Sequence, residues 1–199
     1  MKYPDNIKEL LTLPVDMMGL IFYPKSPRYV VGGQDEIVAC KQDVKFVGVF
    51  VNETVDTVLH IVRNFELDFV QLHGNEPVEY CSEVRKSVPV IKAFSVADRH
   101  DFEQTQPYEG LCDYFLFDTK TPAYGGSGHK FDWTLLDCYM GKTPFLLSGG
   151  IAIDDAQAIK KISHPLLYGI DLNSRFEIEP AVKDISMLKQ FINEIKNHE

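Results

Sequence analysis

Apolar residues in this chain come in short unbroken runs rather than in alternation with polar ones. The runs fall at 18–22, 46–51, 69–72, 90–94, 114–117, 145–147 and 166–172, and few of them contain a charge. A strand with one face in water alternates, whereas a strand covered on both faces reads as continuous hydrophobic sequence. The runs are therefore predicted to be strands of a parallel sheet. Between them lie segments with helical spacing or helix-start signals, at 34–41, 54–65, 77–87, 98–105, 131–139 and 154–162, with one more, 183–197, after the last run. Strict alternation of strand and helix implies right-handed crossovers, in either an open doubly wound sheet or a closed barrel. The even repeat, and the glycine-rich or polar motifs that follow almost every run, favour the barrel.

A helix-like segment, 5–11, precedes the first run, so eight helical segments accompany only seven strands, and residues 1–4 are too few for another. The expected fold class is α/β, a (β/α)8 TIM barrel with its first strand missing. It is expected to form one domain over residues 1–199, N-terminally truncated, because no linker or low-complexity tract divides the chain. Unpaired strand edges tend to recruit another chain, so a monomer or a homodimer joined through the open edge is expected.

A formal net charge of -9 argues against nucleic-acid or anionic-membrane partners, so an anionic ligand would have to be held by local features. Cys40, Cys81, Cys112 and Cys138 are widely spread with no CxxC pair, which suggests neither a zinc site nor a disulfide framework and fits a reducing cytoplasm. No run approaches the roughly 20 apolar residues of a membrane span, and the N-terminal sequence has no apolar signal core.

Candidate chemistry follows the runs. After the first comes Tyr23-Pro24-Lys25-Ser26-Pro27-Arg28-Tyr29, a stiff loop in which Arg28 offers a planar fork suited to a carboxylate; it also reads as an ordinary solvated loop. His73, in Val70-Gln71-Leu72-His73-Gly74, stands at a strand's C-terminal end, where barrel active sites lie and where structural histidines also occur. Asp118 ends another strand and is a candidate proton donor or, alternatively, a cap. The loop Tyr124-Gly125-Gly126-Ser127-Gly128 has the length and flexibility to fold over a ligand. Leu147-Ser148-Gly149-Gly150-Ile151 runs from a strand towards a helix start at Ile153-Asp154-Asp155, an arrangement whose backbone N–H groups and helix dipole suit a phosphate. Gly169-Ile170-Asp171-Leu172-Asn173-Ser174-Arg175 could complete that cradle or form a simple turn.

Taken together, the strings FYPKSPRYV, VGVFVNE, VQLHGNEP, FDTKTPAYGGSG, FDW, LSGG and DLNSRFE followed by PAVKD resemble phosphoribosylanthranilate isomerase from about Asp5 to the C-terminus. The resemblance implies a (β/α)8 barrel of tryptophan biosynthesis that needs no cofactor or metal. It implies an Amadori rearrangement of N-(5-phosphoribosyl)anthranilate to the 1-deoxyribulose phosphate isomer. It places Asp118 at the general acid that opens the ribose ring and Arg28 at the arginine that meets the anthranilate carboxylate. It puts His73 and Asp171 in the substrate site, and Gly149, Gly150, Asn173 and Ser174 on the phosphate loops. Arg175 stands where many members carry glycine. The family also opens with a strand ending in Cys-Gly whose cysteine takes the proton from C2 of the opened sugar, and Met1 aligns just after it. That strand and base are expected to be absent, through a start assigned too late, leaving this chain nearly inactive. The rival from another class is a non-catalytic sugar-phosphate-binding barrel; an indole-glycerol-phosphate synthase finds no support in these loops.

Overall fold

The computed structural model describes residues 1–119 and 130–196. Helix α1 (Pro4–Leu10) starts on a proline, which suits a first turn whose N–H groups have no intrahelical partner. Then come β1 (Met17–Ile21), α2 (Gln34–Val38), β2 (Lys45–Phe50), α3 (Val55–Asn64), β3 (Phe69–Leu72), α4 (Val78–Arg85) and β4 (Val90–Val96). They are followed by β5 (Tyr114–Thr119), β6 (Phe145–Leu147), α5 (Ala156–Ile159) and β7 (Leu167–Ile170). An antiparallel hairpin, β8 (Glu177–Glu179) and β9 (Val182–Lys183), leads into α6 (Ile185–Lys196). All seven predicted strands form, and the hairpin is an addition that the apolar pattern does not announce.

Two predicted helices, 98–105 and 131–139, form instead as 3-10 segments, Arg99–Tyr108 and Trp133–Cys138. Each begins on an aspartate that accepts a backbone N–H two residues on, Asp98 from His100 and Asp132 from Thr134. The first also contains Pro107, which has no N–H to extend an α-helical ladder. By contrast α3 is a regular helix, started by the Thr54 hydroxyl accepting the Thr57 N–H at 3.2 Å.

Among the described residues the main sheet is parallel and seven-stranded, in sequence order from β1 to β7. Its outer face packs on the helices through the larger core, which includes Phe46, Phe50, Phe115, Phe117 and Phe145. Its inner face carries a smaller cluster of Val47, Ile91, Ala93, Leu116 and Leu146, so the strands are buried on both faces as their unbroken apolar runs require. The sheet curls, because β1 and β7 at its opposite edges line one cavity of about 690 Å³. They do not pair with each other. The free edge of β1 is partly covered, Gly19 O accepting from the Met1 nitrogen and Ile21 O from the Val30 N–H, each at 2.9 Å. The cavity continues through this opening to Leu188, Phe191 and Ile192 of α6. Among the described residues, the expected seven-strand form of a (β/α)8 architecture is adopted, with β1 and β7 facing each other unpaired. No helix among the described residues is long and apolar enough to cross a membrane.

Candidate active site

Parallel strands in register end at one level, and several polar side chains reach the cavity there. His73 N–H donates to Phe50 O at 2.9 Å, Ser148 N–H to Phe117 O at 2.8 Å and Asp171 N–H to Leu147 O at 2.8 Å. Backbone ladders therefore carry the last residue of each run to the cavity mouth. Arg28, His73, Asp118, Gly149, Gly150, Asp171, Asn173 and Ser174 all line this one cavity, whereas Arg175 and the segment 153–155 do not. The glycine-rich loop 124–128 lies outside the described residues.

Asp118 is held on one oxygen and approached on the other. The Thr119 N–H donates to Oδ1 at 2.8 Å, and Nε2 of His73 lies 3.3 Å from Oδ2. Gly149 packs against this carboxyl with φ of 94°; a Cβ there would come within 2.8 Å of Asp118 Oδ1 and 2.7 Å of Thr119 N. Only glycine allows the strand end and the β6 loop to approach so closely.

Behind His73, the segment 74–76 rests on a buried ion pair. The Glu76 carboxylate accepts the N–H groups of Gly74, at 3.0 and 3.1 Å, and of Asn52, at 2.8 Å. Lys92 of β4 reaches Glu76 at 3.1 Å and the Leu72 and Gly74 carbonyls at 3.2 and 2.8 Å. A Cβ on Gly74 would overlap the Asn52 and Glu76 side chains, so any larger residue would displace them.

On the other side of the cavity, the Ser148 hydroxyl donates to Asp171 at 3.1 Å. Burial pushes the Asp171 carboxyl above the usual carboxylate range, against the pull of the Lys183 ammonium, while the neighbouring Asp118 adds to the rise. Lys183 donates to the carbonyls of Leu172 and Asn173 and to Asn173 Oδ1, at 3.2, 3.1 and 2.9 Å. Its surroundings lower its own pKa, burial first, with Glu177 and Asp171 opposing.

Arg28 meets a carboxylate in this structure, and it is that of Glu177. Nε lies 3.0 and 2.9 Å from the two oxygens and Nη2 2.6 Å from Oε2. Burial alone would raise the Glu177 pKa, but the Arg28 hydrogen bonds, Lys183 and the Ala181 N–H overcome it and hold it low. With Nε and Nη2 occupied, the Nη1 side of the fork remains for a ligand. Glu177 and Lys183 were not foreseen. They lie on the unpredicted hairpin, and no local spacing reveals a partner 149 residues away.

One expectation is corrected in its mechanism. The helix start proposed at Ile153 is a 3-10 turn, Ile153–Asp155, ahead of the short α5, and Asp155 Oδ2 already accepts the Ala152 N–H at 2.7 Å. So short an element has little macrodipole, which leaves the glycine backbone as the main anion-binding feature of that loop. None of the four cysteines lines the cavity.

Comparison with known proteins accounts for this arrangement. A family model described as N-(5'phosphoribosyl)anthranilate (PRA) isomerase matches residues 1–194. The N-(5'-phosphoribosyl)anthranilate isomerase of Parabacteroides distasonis is 49% identical over 199 residues, covering 98% of this chain and 90% of that protein. The crystal structure of phosphoribosyl anthranilate isomerase from Thermotoga maritima superposes with a TM-score of 0.85 at 33% identity, covering 98% of this chain and 95% of that one. Another isomerase structure, in complex with reduced 1-(o-carboxyphenylamino)-1-deoxyribulose 5-phosphate, superposes with a TM-score of 0.82 at 29% identity over 98% of this chain and 95% of that one. The chain belongs to the N-(5'-phosphoribosyl)anthranilate isomerase family.

Proposed function

We propose that this chain binds N-(5'-phosphoribosyl)anthranilate and supplies the acid for its Amadori rearrangement to 1-(2-carboxyphenylamino)-1-deoxyribulose 5-phosphate in tryptophan biosynthesis, with low turnover, since none of the residues given roles here takes the C2 proton. The observation that carries the reading is the meeting, in one cavity, of a carboxyl at a strand end, an arginine fork and two glycine-containing loops, in a chain of this family. Asp118 gives its proton to the ribose ring oxygen, and the anilino nitrogen pushes the ring open. Arg28 receives the anthranilate carboxylate on its free Nη1 side. The phosphate lies on the Gly149-Gly150 loop beside Asn173 and Ser174, and His73 and Asp171 border the sugar. Isomerisation leaves the molecule's overall oxidation level unchanged, so the reading calls for no cofactor.

All four cysteines are free thiols, which suits the reducing cytoplasm where this reading puts the protein. The T. maritima relative is described as dimeric, and a monomer or homodimer is the assembly this reading takes.

The test is an isomerase assay on the parent and on Asp118→Asn, with binding of the reduced product analogue measured in parallel. Loss of a general acid costs roughly 10²–10⁴ in rate, so kcat should fall by that factor while analogue affinity stays within about threefold. Analogue binding without any turnover by the parent would favour the non-catalytic sugar-phosphate-binding barrel.

A further inference from the structure

Gln71 lines the cavity two residues before His73 on β3 and has no part in the roles above. It is a buried side chain, 7% exposed, and its Nε2 lies 3.0 Å from Nδ1 of the His73 imidazole. An amide NH₂ group has two donors and no acceptor, so the Nδ1 it faces must present a lone pair. In a neutral imidazole the one ring proton then sits on Nε2, the nitrogen 3.3 Å from Asp118 Oδ2. The His73 N–H to Phe50 O bond fixes the main chain, and Gln71 fixes the ring.

We propose that Gln71 is a positioning residue that holds His73 as its Nε2–H tautomer, so that this N–H supports Asp118 as it becomes a carboxylate. The proposal rests on the acid role given to Asp118. In the step, the Asp118 proton moves to the ring oxygen, the C1–O bond breaks towards that oxygen, and the nitrogen lone pair forms the C=N bond. Asp118 is left as an anion, with the Thr119 N–H hydrogen-bonded to Oδ1 and the His73 Nε2 3.3 Å from Oδ2, a contact that is not a hydrogen bond in this structure and becomes one as charge develops. His73 keeps its proton throughout. Catalytic contacts that are long or poorly aligned without ligand tighten in the reacting complex, and a donor whose tautomer is already set needs only that small adjustment. With the other tautomer, a lone pair would face the new carboxylate and repel it.

Nitrogen-15 NMR of histidine-labelled protein, with His73 assigned by its loss in His73→Gln, reads the tautomer directly. The parent above pH 8 should show Nε2–H. Gln71→Met removes the donor at similar size and should admit the Nδ1–H form. Gln71→Glu supplies an acceptor facing Nδ1 and should favour the Nδ1–H form. In the assay, Gln71→Met should lower kcat by roughly ten- to hundredfold, the worth of one hydrogen bond to a charged group, with KM changed by less than about threefold. His73 as Nδ1–H in the parent would mean that the amide turns its oxygen to the ring, and would overturn the proposal. So would a Gln71→Met protein that keeps both the parent's tautomer and its kcat. If Asp118→Asn keeps full activity while the Gln71-dependent tautomer is observed, the acid role fails and the His73 geometry stands.

Discussion

Replacing Glu76 by glutamine strips the Lys92 ammonium of its counter-charge while barely changing the shape of the site. Both side chains are out of solvent, Lys92 4% and Glu76 2% exposed, so water cannot take over the lost interaction. Removing one partner of a buried pair costs about 3–5 kcal/mol, mostly the penalty of the charge left behind. Here the Leu72, Gly74 and Ala93 carbonyls remain within 3.2 Å of Lys92 Nζ and soften the loss, which puts the expectation near the low end. For a chain of this size about 3 kcal/mol corresponds to a fall in melting temperature of roughly 6–12 °C. Urea unfolding and thermal melts of the parent, Glu76→Gln and the double variant Glu76→Gln/Lys92→Met measure it. The double variant removes both charges, so it should regain more than half of the lost stability. A single variant melting within about 2 °C of the parent, or a double variant no more stable than the single, would refute the argument that the unpaired charge sets the cost.

Arg28→Lys keeps the charge but loses the planar fork, so affinity for the reduced product analogue should weaken by roughly ten- to hundredfold by calorimetry; unchanged affinity would remove Arg28 from carboxylate recognition. Gly149→Ala places a Cβ at φ of 94° against Thr119 and Asp118. It should destabilise by about 1–3 kcal/mol and lower kcat as the carboxyl is displaced, and a variant with the parent's melting temperature and kcat would contradict this. Asp171 has its pKa raised by burial, so between its unfolded value of about 3.9 and its folded value the native state binds more protons than the unfolded chain. Stability from this group is therefore present at low pH and lost as pH rises through the folded pKa. Asp171→Asn lacks that loss, so its melting temperature relative to the parent should climb with pH across the window, and a difference that shrinks would show the sign to be wrong.

The strands and their parallel order were legible because burial on both faces forces runs such as Phe46-Val47-Gly48-Val49 to be apolar throughout, and that constraint is local. The candidate site was legible for a related reason. In a parallel sheet each run's C-terminal end faces the same mouth, so His73, Asp118, Ser148 and Asp171 could be placed from sequence position alone. Helix type was less visible, since the choice between α and 3-10 at 99–108 turned on one aspartate cap and one proline. What only the tertiary structure decided were side-chain pairings. Glu177 on Arg28 joins positions 149 residues apart, and Lys92 beneath the His73 loop and Lys183 against Asn173, though nearer in sequence, depend on side-chain directions set only in the fold. Even Gln71, two residues from His73, gained its role from a ring orientation that no spacing rule specifies. Hydrophobic periodicity is written along the chain, but a hydrogen bond needs a distance and a direction, and those exist only once the chain has folded.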